Sequence, residues 1–336
     1  MHAGDRSYCV YEDTLIYGHD FQWSMSSHPI EIMSLRKEYG EFVAVDDLTI
    51  TIRKNSFTGL LGPNGAGKST TLKILTHLIN ATSGEAYLNG IDVTKDPKQA
   101  LYNVGTVIET PEFYSYLTPR ETMRYVGEIL GMDKESISFQ TESILEKVKM
   151  TEWADKRLGT FSKGMRQRIA LGQSLMNDPG IIILDEPTSG LDPRGMAEMR
   201  DILNNLRNEA HDLTIVMSSH ILTEVQDLCD RIAMINHGKL LVDGDISEFV
   251  AADGTRSMVA KAERRLGAED VKAVERLDYV ISAETDTEGM TVHIPDDVHM
   301  KQRLLADLVG MDIGVFSLAE KNELENTYLN LIAESR

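Results

Sequence analysis

The sequence predicts an α/β fold: a buried, mostly parallel sheet that carries a nucleoside-triphosphate loop at one edge. Three observations point to it. Gly62-Pro63-Asn64-Gly65-Ala66-Gly67-Lys68-Ser69-Thr70 fits G-x-x-x-x-G-K-[ST], with the apolar run FTGLL before it and a helical pattern (Leu72, Ile74, Leu75, Leu78, Ile79) after it. Ile181-Ile182-Ile183-Leu184 is a fully apolar strand ending in Asp185 and Glu186, which is how a central parallel strand presents acids at a ligand edge. Further apolar runs at 104–108 and 213–217 are separated from it by helical patterns, the alternation that builds a parallel sheet.

Taken in order, residues 1–29 show no periodicity and read as a disordered leader. From Ile30 the chain alternates like a strand, turns at Tyr39-Gly40 and returns over 44–52. Tyr39, just ahead of the loop, is a candidate for stacking on adenine. In the loop itself, glycines let backbone N–H groups turn inward, and the following helix adds positive charge at its N-terminus. Lys68 is expected to reach the β- and γ-phosphates of a nucleoside triphosphate, and the Ser69 hydroxyl to ligate Mg²⁺. The strand at 104–108 delivers Glu109 at its end, close to Asp185 and Glu186, where like charges are expected to hold the site open. Thr118-Pro119-Arg120-Glu121 then opens a helix with a capping box. Helical patterning continues with loops, and about 118–178 reads as a subdomain inserted into the α/β unit.

Ser162 is a helix N-cap in FSKGMRQR at 161–168, a second anion-binding helix start. Asp185 is suited to hold Mg²⁺, and Glu186 to orient or deprotonate an attacking water. Asp192-Pro193 caps the next helix. His220 follows the strand at 213–219 and is assigned a γ-phosphate contact. A hairpin over 231–242 closes the first domain near Phe249. Residues 255–336 run β-α-β-β-α-β, with strands at 258–260, 279–281, 290–294 and 313–316, and end in a helix over 324–332. That order suggests a ferredoxin-like split unit. It carries no catalytic constellation, so a 1–250 fragment is expected to bind ATP.

Composition narrows the function classes. Of 336 residues 42% are hydrophobic and 26% charged, ordinary for a globular chain with room for two domains. No uninterrupted apolar run exceeds four residues, so no segment reads as a membrane span. Residues 1–30 lack a secretory signal pattern, and Cys9 and Cys229 form neither a disulfide framework nor a zinc spacing. A net charge of -19 argues against nucleic acid as a partner.

With these motifs in hand, residues 30–250 resemble the nucleotide-binding subunit of ATP-binding cassette (ABC) transporters. GPNGAGKST matches the family's Walker A, FSKGMRQR its signature segment, IIILDEP at 181–187 its Walker B, SGLDP at 189–193 its D-loop, and His220 its switch histidine. The resemblance implies a dimer sandwiching two ATP molecules, in which Ser162, Gly164 and Asp192 face nucleotide held by the other subunit. Three positions depart from the family. Lys163 and Met165 replace the middle Gly and the Gln of L-S-G-G-Q, and Glu109 stands where the Q-loop glutamine is usual, as a water and Mg²⁺ ligand. With VIETPEFYSYLTPRE at 107–121 they look like the branch that exports bacitracin-type antibiotics and confers lantibiotic immunity. SLAEKNELENTYLNLI at 317–332 resembles the accessory C-terminal domain of drug-exporting subunits.

The resemblance implies an ATPase that drives a separately encoded polytopic membrane permease. It would pair with a second ATPase subunit, identical or not, and sit on the cytoplasmic face of the cell membrane. The rival readings are a soluble ABC ATPase not coupled to transport, and a module that senses ATP without turnover. Neither long coiled coils nor a second cassette supports the first, and filled positions at Glu186 and His220 oppose the second.

Overall fold

A computed structural model describes residues 28–335 apart from 210–211, 251–254, 286–288, 296, 312 and 321–322. Of the leader expected over 1–29, residues 1–27 lie outside the described residues. The chain opens with β1 (Ile30–Tyr39) and β2 (Phe42–Ile52), followed by β3 (Phe57–Leu61), α1 (Lys68–Leu75), β4 (Ser83–Leu88), β5 (Ile91–Asp92), α2 (Pro97–Ala100) and β6 (Val104–Val107). Then come the helices α3 (Pro119–Ile129), α4 (Lys134–Lys147) and α5 (Lys163–Ser174). The α/β alternation resumes with β7 (Ile181–Asp185), α6 (Pro193–Glu209), β8 (Thr214–Ser219), α7 (Leu222–Leu228), β9 (Arg231–Asn236), β10 (Lys239–Asp245) and α8 (Ile246–Val250).

Two sheets face each other across this part of the chain. One is antiparallel, in the order β2-β1-β4-β5; the other has six strands in the order β10-β9-β3-β8-β7-β6, with only β10 antiparallel to its neighbour. Successive side chains of a strand point to opposite faces, and β7 shows the consequence. Ile181 and Ile183 enter the core shared with the antiparallel sheet and α1, whereas Ile182 and Leu184 enter the core under α5 and α6. Both faces are covered, which is why the strand reads as an unbroken apolar run. Parallel pairing sets Leu61 opposite Ser219, Asp185 opposite Ser218 and Val107 opposite Leu184. Those registers bring the exits of β3, β8, β7 and β6 to one edge, so the residues just past them converge.

The helical insertion begins at a cap the sequence announces. Thr118 Oγ1 accepts from Glu121 N, and the Glu121 carboxylate accepts from Thr118 N at 2.9 Å. Elsewhere the observed ends differ from those expected. The helix α1 stops at Leu75 instead of running through Ile79. His77 adopts a left-handed φ of 53°, and Leu78 N donates to Lys73 O while His77 N donates to Ile74 O, the Schellman arrangement with histidine where glycine is usual.

The C-terminal part contains β11 (Thr255–Ala262), α9 (Ala268–Val274), β12 (Ser282–Thr285), β13 (Met290–Pro295), α10 (Val298–Gly310), β14 (Val315–Glu320) and α11 (Glu323–Glu334). Its sheet is antiparallel in the order β12-β13-β11-β14, over its own core of Met258, Ala260, Val292, Leu304 and Leu308 among others. Two strands are displaced from their expected places. Residues 279–281 precede β12, where Tyr279 packs inward and donates to Asp307 at 2.6 Å, and the last strand starts at Val315 instead of Ile313. The final helix leaves this core altogether. Leu324 is fully buried in the α5–α6 side core of the first part, with Tyr328 and Leu331 packed against that core beside Ile246 and Phe249.

Candidate functional site

At the exit of β3 the backbone must turn sharply and enter α1. Gly67, the residue capping α1, has φ 104°, and a Cβ there would lie 2.5 Å from Ala44 O, so only glycine fits. Lys68 is 4% exposed, and its ammonium donates to Gly62 O at 2.8 Å and Pro63 O at 3.1 Å. Burial pushes its pKa below the usual lysine value, while Glu186 and Asp185 pull it back up. The Lys68 Nζ to Glu186 Oε1 separation is 3.9 Å.

Asp185 ends β7 almost buried, 8% exposed, and Oδ1 accepts from Ser69 Oγ at 2.9 Å and from Ser218 Oγ at 2.6 Å. The same Ser218 Oγ accepts from Glu186 N at 2.9 Å, so β8 fixes both acids at once. Glu186 leaves the strand with a left-handed φ of 45°, an uncommon conformation for a residue with a side chain. Its Oε1 lies 3.1 Å from His220 Nδ1. The expected phosphate, metal and water-facing residues Lys68, Ser69, Asp185, Glu186 and His220 therefore meet in one place.

Glu109 follows β6, also with positive φ (67°), and its carboxylate pairs with Lys73 of α1. Its charge is thus matched by a cation, and does not stand unopposed beside Asp185 and Glu186. The Lys73 pKa rises chiefly through its bond to Glu109, with a smaller contribution from Asp185. Tyr39 ends β1 half exposed, and Lys37 Nζ sits 4.9 Å from its ring centroid. Gly62, Pro63, Asn64, Gly65, Ala66 and Thr70 form the loop and first turn around Lys68.

The signature residues gather elsewhere. Ser162 caps α5, its Oγ accepting from Met165 N, and a cleft brings Ser162 and Gly164 together with Asp192 and Gly195 at the start of α6. Asp192 Oδ1 accepts from Gly195 N at 2.8 Å, the cap expected for that helix. Lys163, between Ser162 and Gly164, donates from Nζ to Ser189 O at 2.8 Å, which ties the signature segment to the turn following Glu186.

Lys73 and Ser218 are the site residues that sequence reasoning missed. Ser218 had a signal, lying two residues before His220 on a strand already placed beside the acids. Lys73 had none, because its importance depends on how the chain after β6 folds back over α1. Among the described residues no three His, Cys, Asp or Glu side chains cluster as a metal cage, and none of the helices is long and apolar enough to cross a membrane.

Comparison with known proteins agrees with this geometry. The ABC transporter family model matches residues 45–189. The bacitracin transport ATP-binding protein BcrA of Bacillus licheniformis is 40% identical over 212 residues, 63% of this chain and 68% of that protein. An uncharacterized ABC transporter ATP-binding protein of Bacillus subtilis, YxlF, is 31% identical over 304 residues, 90% of this chain and 99% of its own length. Among solved structures, the ADP conformation of an ATP-binding cassette of an ABC transporter superposes with a TM-score of 0.59 at 25% identity, covering 68% of this chain and 96% of that one.

Proposed function

The chain belongs to the ABC transporter ATP-binding proteins, and from that premise we propose that it is the ATP-hydrolysing subunit of an exporter. In this reading it works as a dimer on the cytoplasmic face of the membrane, bound to a separately encoded polytopic permease. The observation that carries the proposal is the convergence of Lys68, the Ser69–Asp185 pair and the Glu186–His220 pair at one sheet edge.

Each residue has a definite task. The loop amides and the α1 N-terminus receive the phosphates of ATP, and Lys68 exchanges its bonds to Gly62 O and Pro63 O for phosphate oxygens. Ser69 Oγ and the Asp185 carboxylate, 2.9 Å apart, form the hard-oxygen pair that suits Mg²⁺. The cation supplies charge neutralisation on the phosphates. Glu186 orients the attacking water and takes its proton, while His220 holds the Glu186 carboxylate in place and faces the γ-phosphate. Glu109, held by Lys73, links the P-loop helix to the segment leading into the helical insertion. Tyr39 stacks on the adenine. Ser162, Gly164 and Asp192 face the nucleotide of the second subunit, so ATP closes the dimer and hydrolysis reopens it.

Residues 30–250 serve as the nucleotide unit and 255–336 as an accessory unit of ferredoxin-like type. The element order β-α-β-β-α-β and the antiparallel strand order support the latter. The similarity to BcrA supports a peptide antibiotic of the bacitracin kind as substrate.

The test is to co-express the chain with a polytopic membrane protein from an adjacent reading frame. The protein then sediments with membranes, resists a salt wash and hydrolyses ATP faster than alone. Persistence in the soluble fraction with that partner present would favour an ATPase uncoupled from transport.

A further inference from the structure

The signature departure at Lys163 is the feature that the proposed mechanism leaves unused. Lys163 is the first residue of α5, where a cation meets the positive end of the helix dipole, an unfavourable place for it. Its ammonium is instead engaged across the cleft: Nζ donates to Ser189 O at 2.8 Å. The acceptor lies in the turn after β7, and Ser189 N itself donates to Glu186 O at 3.0 Å. Glu186 in turn holds its left-handed φ and its contact with His220. Two hydrogen bonds through Ser189 therefore link the start of α5 to the main chain of Glu186, the residue that bears the water-facing carboxylate.

The next residue is shaped to admit this contact. Gly190 has φ 66°, and a Cβ there would lie 2.4 Å from Lys163 Nζ. The positive φ favours glycine at 190, and a side chain there would displace the ammonium lying over it. Gly164 meanwhile leaves α5 close to Leu191 and Gly195, so the two segments are packed as well as bonded.

We propose that Lys163 is a positioning residue for hydrolysis, acting through the Ser189 carbonyl to hold the 186–190 turn and hence Glu186. A lysine in place of the signature's small residue ties the subunit's own α5 to its own acid-bearing turn. Because α5 also bears Ser162 and Gly164, movement at that face is carried to Glu186 by this bond. The inference rests on the ATPase reading above.

The experiment measures steady-state ATP hydrolysis by the full chain with Lys163→Met, Lys163→Arg, Gly190→Ala and the Lys163→Met/Gly190→Ala double variant. Lys163→Met is expected to lower kcat about tenfold with KM for ATP unchanged, since the phosphate loop is untouched. Lys163→Arg keeps a long cationic donor and restores most of the rate. Gly190→Ala strains the turn in either background but displaces the ammonium only in the wild type, so it slows Lys163→Met less than it slows the wild type. A wild-type kcat for Lys163→Met overturns the proposal. So does a raised KM at constant kcat, which places Lys163 on the nucleotide, and so does additivity of the two substitutions. Glu186→Gln is run alongside: if it turns over ATP normally, the ATPase reading of the site fails, an outcome separate from any result at Lys163.

Discussion

At Lys68 burial and charge act in opposite directions on one ammonium. Burial wins and lowers its pKa, and the loop's own carbonyls take the place of solvent around it. The neighbouring Lys73–Glu109 pair is more open, and partly exposed ion pairs contribute roughly 0.2–1 kcal/mol. Its value lies in geometry, because it fastens a strained residue to the helix that follows the phosphate loop. Glu109→Gln should keep ATP binding and part of the hydrolysis, and Lys73→Met should change the rate in the same direction. Titration calorimetry and ATPase assays on the two single variants and their double check this. Additive losses would show that the two side chains act separately. Glu109 was legible in the sequence as an acid at a strand end, yet its partner was not. Nothing in local spacing relates residue 73 to residue 109.

Elements were legible wherever one force dominated. The four-residue apolar run before Asp185 announces a strand buried on both faces, and Thr118, Pro119 and Glu121 announce a helix start. Boundaries were lost where a weaker local preference was overruled. His77 accepts a left-handed conformation, so α1 stops with apolar residues still to come. Tyr279 looks like a strand residue by propensity, but burial of its ring and its bond to Asp307 place it in the turn before β12. Burial first, then that bond, raises its pKa well above the usual tyrosine value. A neutral group favoured in the folded state supports stability fully below its unfolded pKa of about 10 and loses that support as pH rises further. Denaturant unfolding at pH 9 to 11 should therefore show stability falling with pH, less steeply in Tyr279→Phe. Equal slopes in both proteins would contradict the assignment. The role of α11 was the largest omission, since a helix pattern does not say which core it joins. Leu324→Ala should cost about 2–5 kcal/mol, read in the unfolding of the nucleotide unit. A 1–250 fragment should still bind ATP but melt earlier, because Ile246 and Phe249 lose their cover. A melting temperature equal to that of the full chain would remove α11 from that core.

Over the whole molecule, the parallel sheet brings strand ends from distant parts of the sequence to one edge, and the residues just past those ends build the site. Lys68 and Glu186 are 3.9 Å apart there, but their proposed tasks differ: one binds phosphate, the other acts on water. Ser162, Gly164 and Asp192 line a cleft of their own at the starts of α5 and α6, where the proposed dimer would bring the second subunit's nucleotide. The most direct measurement is therefore ATP affinity and turnover in Lys68→Ala and Glu186→Gln, determined side by side with the oligomeric state. Lys68→Ala should lose ATP binding. Glu186→Gln should bind ATP as wild type does, hydrolyse it at least roughly a hundredfold more slowly, and accumulate an ATP-bound dimer. Equal loss of ATP binding in both variants, or wild-type turnover in Glu186→Gln, would contradict the division of labour on which the account depends.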